Sequence, residues 1–281
     1  MFSFIANIFG YLLEWLYNVV GSNYGIAIIL FTILLRVILL PITMKQQQSM
    51  KKTASIQNKM KEIQFKYKNN PEMMNQEIMS LYKKENLSPF SGCISAILQI
   101  VIILSVFYLV SRPLTYMKKL DSSIIEGYKN EIIQEDGKIS NYSEIEIIQK
   151  KSNKNDDVKI NMNFMGLDLS KVPSQNLKDY TVYIIPILYV VSSVLSIKLT
   201  TNQSKSKENK DSSSNEMDMT QQMNKSMSYM MPIMAVSIAF VAPLGLALYW
   251  FISNVLMIIE RILINKFIDY KNNKTLMIDS H

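Results

Sequence analysis

The residue in this sequence whose position most calls for chemistry is Arg36. It stands inside YGIAIILFTILLRVILLPIT, Tyr24 to Thr43, a run that is otherwise apolar. A guanidinium cannot lose its proton at accessible pH, and at the centre of a helix in hydrocarbon it costs at least about 2.5–3.5 kcal/mol. Something must therefore hydrate or pair it. Lys45 follows nine residues later, roughly 13 Å along a helix, so Arg36 is deep for snorkelling although still in the cytoplasmic half. Glu260, near the end of the last apolar run, is one possible partner. The favoured alternative is a water-filled cavity, because the cores of the other apolar runs contain no acidic residue. Polar groups able to line it are Thr32, one turn from Arg36 on the same face, with Gln99, Ser192, Ser196, Ser253 and Asn254. Each of these also suits ordinary helix packing.

Other chemistry is thinly represented. One Cys and one His leave no disulfide framework, no Cys/His metal cluster and no Cys-His nucleophile pair. The apolar runs carry no carboxylate pairs, and the chain has no phosphate-binding Gly-rich loop, so neither an enzymatic reaction nor a cofactor or metal is expected. A second binding pattern is the series Met217, Met219, Met223, Met227, Met230, Met231 and Met234. From Met219 onward the spacing sets them along one helical face. Unbranched, polarizable side chains of this kind either pack an ordinary membrane entry or form an adaptable surface for apolar partners.

The elements that must position these residues follow from composition. Of 281 residues, 48% are hydrophobic and 19% charged, and no charged residue occurs between Lys225 and Glu260. About 20 helical residues span the roughly 30 Å hydrocarbon core. Candidate spans are 24–43, 91–111 and 180–199, and the uncharged stretch, broken by Ala242-Pro243-Leu244-Gly245, divides into a hairpin of 227–242 and 246–264. The fold class expected is an all-α polytopic membrane protein with five spans. The hairpin halves are short or polar for spans, so bilayer thinning is expected around them. Lys45, Lys51 and Lys52 follow the first span while residues 1–23 hold no Lys or Arg, which sets the N-terminus outside and the tail 265–281 in the cytoplasm. The net charge of +7 fits Lys-rich cytoplasmic loops rather than nucleic-acid recognition.

Residues 1–23 lack the basic start and small-residue cleavage site of a signal peptide. Phe2, Ile5, Ile8 or Phe9, Leu12, Trp15 or Leu16 and Val19 recur at helical spacing, and an amphipathic helix on the outer surface is favoured over a sixth span. Residues 44–90 read as a cytoplasmic antiparallel helical hairpin. Ile56, Met60, Ile63 and Tyr67 form one stripe; Asn70 as N-cap and Pro71 in the first turn begin a second helix carrying Met74, Ile78 and Leu81. The extracytoplasmic segment 112–179 contains an insertion, about 120–159, with no motif that assigns it a role. Residues 200–226, rich in Ser, Asn and Lys, read as a flexible cytoplasmic linker.

Several strings together carry a resemblance: YGIAIILFTILLRVILLPIT, then KYKNNPEMMNQEIMSLYKKENLSPFSGC, then FMGLDLSKVP, and finally MMPIM with PLGLALYWFISN. In this order they resemble a bacterial YidC-type membrane protein insertase, in its shorter, Gram-positive-like form. The resemblance implies a five-helix core around a hydrophilic groove in the cell membrane, open to cytoplasm and lipid. It implies no enzymatic reaction and no small-molecule substrate. Arg36 matches the groove arginine and Trp250, in the LYW run, an aromatic groove position; Tyr249, Thr32 and Gln99 join them, and Ser196 stands where many relatives have Gln. Met223, Met227, Met230, Met231 and Met234 would meet clients. Implied partners are nascent membrane proteins and the bilayer, with the Sec translocon and, through the basic tail and hairpin, the ribosome as further candidates. A small-anion transporter binding its solute at Arg36 is the competing class, but no inverted repeat accompanies it.

Overall fold

The computed structural model describes residues 2–87, 91–205 and 237–278, and these are mostly helical. Among the described residues three helices are long and apolar enough to cross a membrane, Tyr24–Ser55, Tyr180–Lys198 and Leu244–Ile268, and Ile97–Ser111 is a shorter apolar helix. The chain divides into two compact units, Met1–Arg36 with Ile102–Leu256, and Val37–Val101 with Met257–His281.

Helix α1, Phe2–Val19, belongs to the first unit. It buries Ala6, Gly10, Leu13, Leu16 and Tyr17 and exposes Phe4, Ile8, Tyr11, Trp15 and Val19. Both faces are apolar, so the stripe read from spacing does not coincide with the face that packs on protein. Small residues decide the packed face: a Cβ on Gly10 would sit 2.6 Å from the Tyr116 carbonyl carbon and nearer still to its oxygen. Helix α2, Tyr24–Ser55, begins behind an Asn23 cap, whose Oδ1 accepts the Ile26 N–H at 3.1 Å. It continues without a break through Pro41 and beyond Thr43, so helicity outlasts the apolar run.

In the second unit, α3 (Gln57–Lys66) and α4 (Pro71–Lys84) pack on each other. The Asn70 side chain accepts the Met73 N–H at 3.2 Å and Pro71 opens α4, an arrangement that satisfies one orphan donor where Pro has none to offer. Ile56 and Leu81 are buried, and Lys59 pairs with Glu85 at 2.8 Å, tying the start of α3 to the end of α4. That ion pair holds the half-buried Glu85 carboxyl below its usual range.

Helix α5, Ser91–Ser111, ends at Arg112 and passes into the short α6, Pro113–Tyr116. The segment that follows, to which the sequence assigned no role, is folded. Helix α7, Ser122–Asp136, starts at Asp121, which accepts the Ser123 N–H at 2.8 Å, and stops at Gly137 with φ of 75°, the left-handed C-terminal residue that glycine supplies without steric cost. Helix α8, Ser143–Lys151, packs on α7 through Ile125, Ile132, Ile145 and Ile148, all buried. Lys151 is buried between Glu131 at 3.1 Å and Glu135 at 2.9 Å, and these two carboxylates raise its pKa.

A two-stranded hairpin, β1 (Asn163–Phe164) and β2 (Leu167–Asp168), closes the first unit around Met165 and Gly166. Both turn residues have positive φ, 51° and 82°, the geometry that matches the twist of paired strands. The hairpin and its flanks supply acceptors to helix starts. Tyr24 N–H bonds the Asn161 oxygen at 3.1 Å, and the N–H groups of Leu244 and Gly245 bond the oxygens of Lys171 and Leu169, each at 2.9 Å. Those donors belong to the first turns of α2 and of α10, Leu244–Ile278, and would otherwise lack partners. A Cβ on Gly25 would meet the Phe164 ring at 2.5 Å, so glycine permits the hairpin to seat there. Helix α9, Ile184–Lys205, follows a short helical turn begun by Asp179, which pairs with Lys171 at 2.7 Å.

Candidate functional site

Arg36, half-buried on α2, points at α10. Its Nη2 donates to the Ser253 carbonyl oxygen at 3.1 Å and to Ser253 Oγ at 2.6 Å. The next residue on α10 points about 100° away around the helix and reaches a different neighbour. Asn254 Nδ2 donates to Ser192 Oγ at 3.0 Å and Ser193 Oγ at 3.1 Å on α9, and Ser192 Oγ passes its own hydrogen to the Tyr189 carbonyl at 2.8 Å. Two consecutive residues thus connect α10 to α2 on one side and to α9 on the other. All four of Ser192, Ser193, Ser253 and Asn254 are buried, where a polar group left without a partner is costly.

The aromatic residues repeat this division one turn earlier, since positions four apart share a helix face. Tyr249, buried, lies on the Ser253 side, with its hydroxyl toward the Ser253 side chain and within electrostatic reach of Arg36. Trp250 lies on the Asn254 side and packs against Tyr189, ring centroids 6.4 Å apart. Thr32 is buried one turn before Arg36, but its hydroxyl donates to the Ile28 carbonyl of its own helix at 2.6 Å. This is the usual local bond of a helical Thr, so its contribution to a polar surface is an acceptor lone pair. Ser196, half-buried, follows Ser192 by one turn of α9. Gln99 is exposed on α5 and belongs to the second unit. Met223, Met227, Met230, Met231 and Met234 lie outside the described residues.

At the far end of these helices the electrostatics are local. The Lys171 ammonium, helped by the Thr181 hydroxyl and amide, holds the Asp179 carboxyl at about 2. Glu144 on α8 is buried, which raises its pKa, while the Thr115 amide (2.9 Å) and hydroxyl (2.6 Å) donate to it and oppose that rise.

The motif strings, the clamp formed by 161–171 and the Arg36 site all fall within residues 15–273, and over that range the sequence matches the family model described as 60Kd inner membrane protein. The chain belongs to this family. It is similar to proteins named Membrane protein insertase YidC: that of Treponema denticola is 27% identical over 262 residues, 93% of this chain and 37% of that protein. The Wolinella succinogenes protein is 30% identical over 269 residues, 96% of this chain and 38% of its own length. Membrane protein insertase YidC 2 of Listeria innocua is 28% identical over 271 residues, 94% of this chain and 71% of its own. The chain thus spans under two fifths of the Treponema and Wolinella proteins. Membership of an inner-membrane family, together with three helices fit to span, makes it a multi-pass bacterial membrane protein.

Sequence reasoning had named Ser253, Asn254 and Ser192 as polar candidates without pairing them, and it overlooked Ser193. The signal was present in the adjacent polar pairs Ser192-Ser193 and Ser253-Asn254 inside apolar runs. It also missed the carbonyls of Leu169 and Lys171 as acceptors for α10, which carry no side-chain signature.

Proposed function

We propose that the protein is a membrane protein insertase. Five spans surround a hydrophilic groove, with the N-terminus outside and the C-terminal tail in the cytoplasm. A hydrophobic segment of a nascent membrane protein enters along the apolar side, and its short outward-going tail rests near Arg36 before crossing. Arg36, Thr32, Gln99, Ser196, Tyr249 and Trp250 line the groove. Met223, Met227, Met230, Met231 and Met234 offer the client an adaptable apolar surface at the entrance. The α3–α4 pair is a cytoplasmic hairpin, and its Lys residues, with those of the tail, are placed to meet a ribosome or the Sec translocon.

The observation that supports this most is the polar track through apolar helices, Arg36 to Ser253 and Asn254 to Ser192 and Ser193. Intramembrane charges and polar groups are costly and cluster on transport paths. A polar half-channel in a thinned bilayer lowers the cost of taking a hydrophilic tail across about 30 Å of hydrocarbon. Burial of the client's apolar segment, and the membrane potential acting on its charges, at about 2.3 kcal/mol per charge per 100 mV, supply the driving force. The names of the relatives point the same way.

The test is reconstitution of the purified protein in liposomes, scored in parallel for protease protection of a one-span client and for uptake of a labelled anion. Protected client without anion uptake is the expected result. Anion uptake without client protection would place the chain among solute transporters instead.

A further inference from the structure

Three helix starts meet at the β1–β2 hairpin and its flanks. The Tyr24 N–H bonds the Asn161 oxygen, and the Leu244 and Gly245 N–H groups bond the oxygens of Lys171 and Leu169. Strand β2 also packs on the helical turn Tyr180–Tyr183 that leads into α9. These are the starts of the three described helices long and apolar enough to cross a membrane. All three therefore enter the bilayer from the same side, and the segment 161–180 that holds them lies at that surface.

This segment presents large apolar side chains outward. Met165, at the hairpin tip, is 87% exposed, Tyr180 is 84% exposed and Leu177 is 59% exposed. Several of its charges are turned inward: Asp168 Oδ1 accepts the Ser170 N–H at 3.0 Å, and Lys171 pairs with Asp179 at 2.7 Å. Lys178, exposed beside Leu177, has a stem long enough to carry its ammonium up to a headgroup. Both residues of the hairpin turn have positive φ, and such a turn favours Asn or Asp ahead of Gly. Met has neither the local hydrogen bonds of Asn nor the freedom of Gly at that φ, so the turn itself does not account for Met165. An unbranched, polarizable side chain does suit the boundary between headgroups and acyl chains. Tyr180, an aromatic of the kind found at that level, also opens a row of exposed residues three or four apart, with Ile184, Ile187, Val191 and Val194. In a spanning helix this row faces lipid.

We propose that the Met165–Gly166 turn, with Leu177 and Tyr180, is a membrane contact that enters the headgroup–acyl boundary on the side where α2, α9 and α10 begin. Lipid is the occupant because the exposed side chains continue the lipid-facing row of α9. Anchored in this way, the segment that bonds three helix starts also fixes the depth at which those helices enter the bilayer. The inference rests on the spanning of these helices and does not depend on the function proposed above.

The test uses the full chain with its one cysteine, Cys93, changed to Ser and a single new cysteine supplied by Met165→Cys, Leu177→Cys or Asp156→Cys. The Asp156 side chain is 96% exposed and serves as the water-facing reference. Each variant is labelled with the fluorophore NBD and placed in phosphatidylcholine nanodiscs. Emission is quenched in parallel by iodide in the water and by lipids carrying a doxyl group high on the acyl chain. At Met165 and Leu177 the doxyl lipids should quench, and the iodide quenching constant should fall to roughly half or less of that at Asp156, because lipid replaces water around the probe. Leu177→Cys reports from outside the turn, so the test stands even if the Met165 variant fails to fold. Iodide quenching equal to that at Asp156, without quenching by lipid, would overturn the proposal. Shielding from iodide without quenching by lipid would mean that protein, a second copy of the chain included, covers these residues, and would overturn the assignment to the bilayer.

Discussion

Gly10 and Gly127 are both helical glycines, and replacing each with Ala should shift stability in opposite directions. Intrinsic propensity alone favours Ala by about 0.8–1 kcal/mol in a helix interior. At Gly127 on α7 nothing lies within 4 Å of the added Cβ, so most of that gain should be realised. At Gly10 the Cβ would fall 2.6 Å from the Tyr116 carbonyl carbon, against an ordinary carbon–carbon contact of about 3.5–4.0 Å. The obstacle is backbone, which cannot rotate aside as a side-chain tip can. Helix α1 must therefore back away from α6 by about 1 Å, loosening Leu13, Leu16 and Tyr17, all buried on the same face. Overpacking of this kind costs typically about 1–3 kcal/mol, outweighing the propensity gain. Midpoints of thermal unfolding in mild detergent should fall for Gly10→Ala and rise slightly for Gly127→Ala. A Gly10→Ala midpoint at or above wild type would refute the close approach of α1 to Tyr116.

Two further outcomes are expected. Asp179 titrates at about 2, below its usual 3.8, because Lys171 and Thr181 stabilise the carboxylate; its stabilising effect is full above about pH 4 and is lost as pH falls through 3.8 toward 2, so Asp179→Asn should flatten that part of a stability–pH curve and leave the part above pH 5 parallel to wild type. A single Cys placed at Lys51 should be labelled by an impermeant reagent only from the cytoplasmic side and one placed at Asp136 only from outside, the reverse pattern being incompatible with the proposed orientation.

Much of the scaffold was legible because it is written in local chemistry. The Asn70-Pro71 start of α4 and the interruption at Ala242-Pro243 use residues whose backbone limits act at their own positions. Arg36 stood out as a candidate because a lone charge in an apolar run must be paired or hydrated. The helix beyond Thr43 was not, since residues 44–55 are polar and the apolar period that marks a packed helix stops there. Helices α7 and α8 did leave signals, an Asp121 cap, a Gly137 stop and paired Ile residues, but these are short elements packed mainly on each other, unlike the long apolar runs that dominated the reading. The partners of Arg36 and Asn254 depend on which faces of α2, α9 and α10 meet, and sequence spacing within one helix carries no record of its neighbour.

The most direct test of the groove reading is insertion of a reconstituted one-span client with an acidic outward tail by wild type, Arg36→Ala, Arg36→Lys and the Arg36→Ala/Glu260→Gln double variant, each also checked for detergent stability. If the positive charge at Arg36 receives the tail, Arg36→Ala should remain folded yet insert poorly, Arg36→Lys should retain much of the activity because it keeps the charge while losing the planar fork, and the Glu260 change should restore nothing. Recovery of both stability and insertion in the double variant would mean that Arg36 serves as the structural counter-ion of Glu260, and would contradict the groove mechanism.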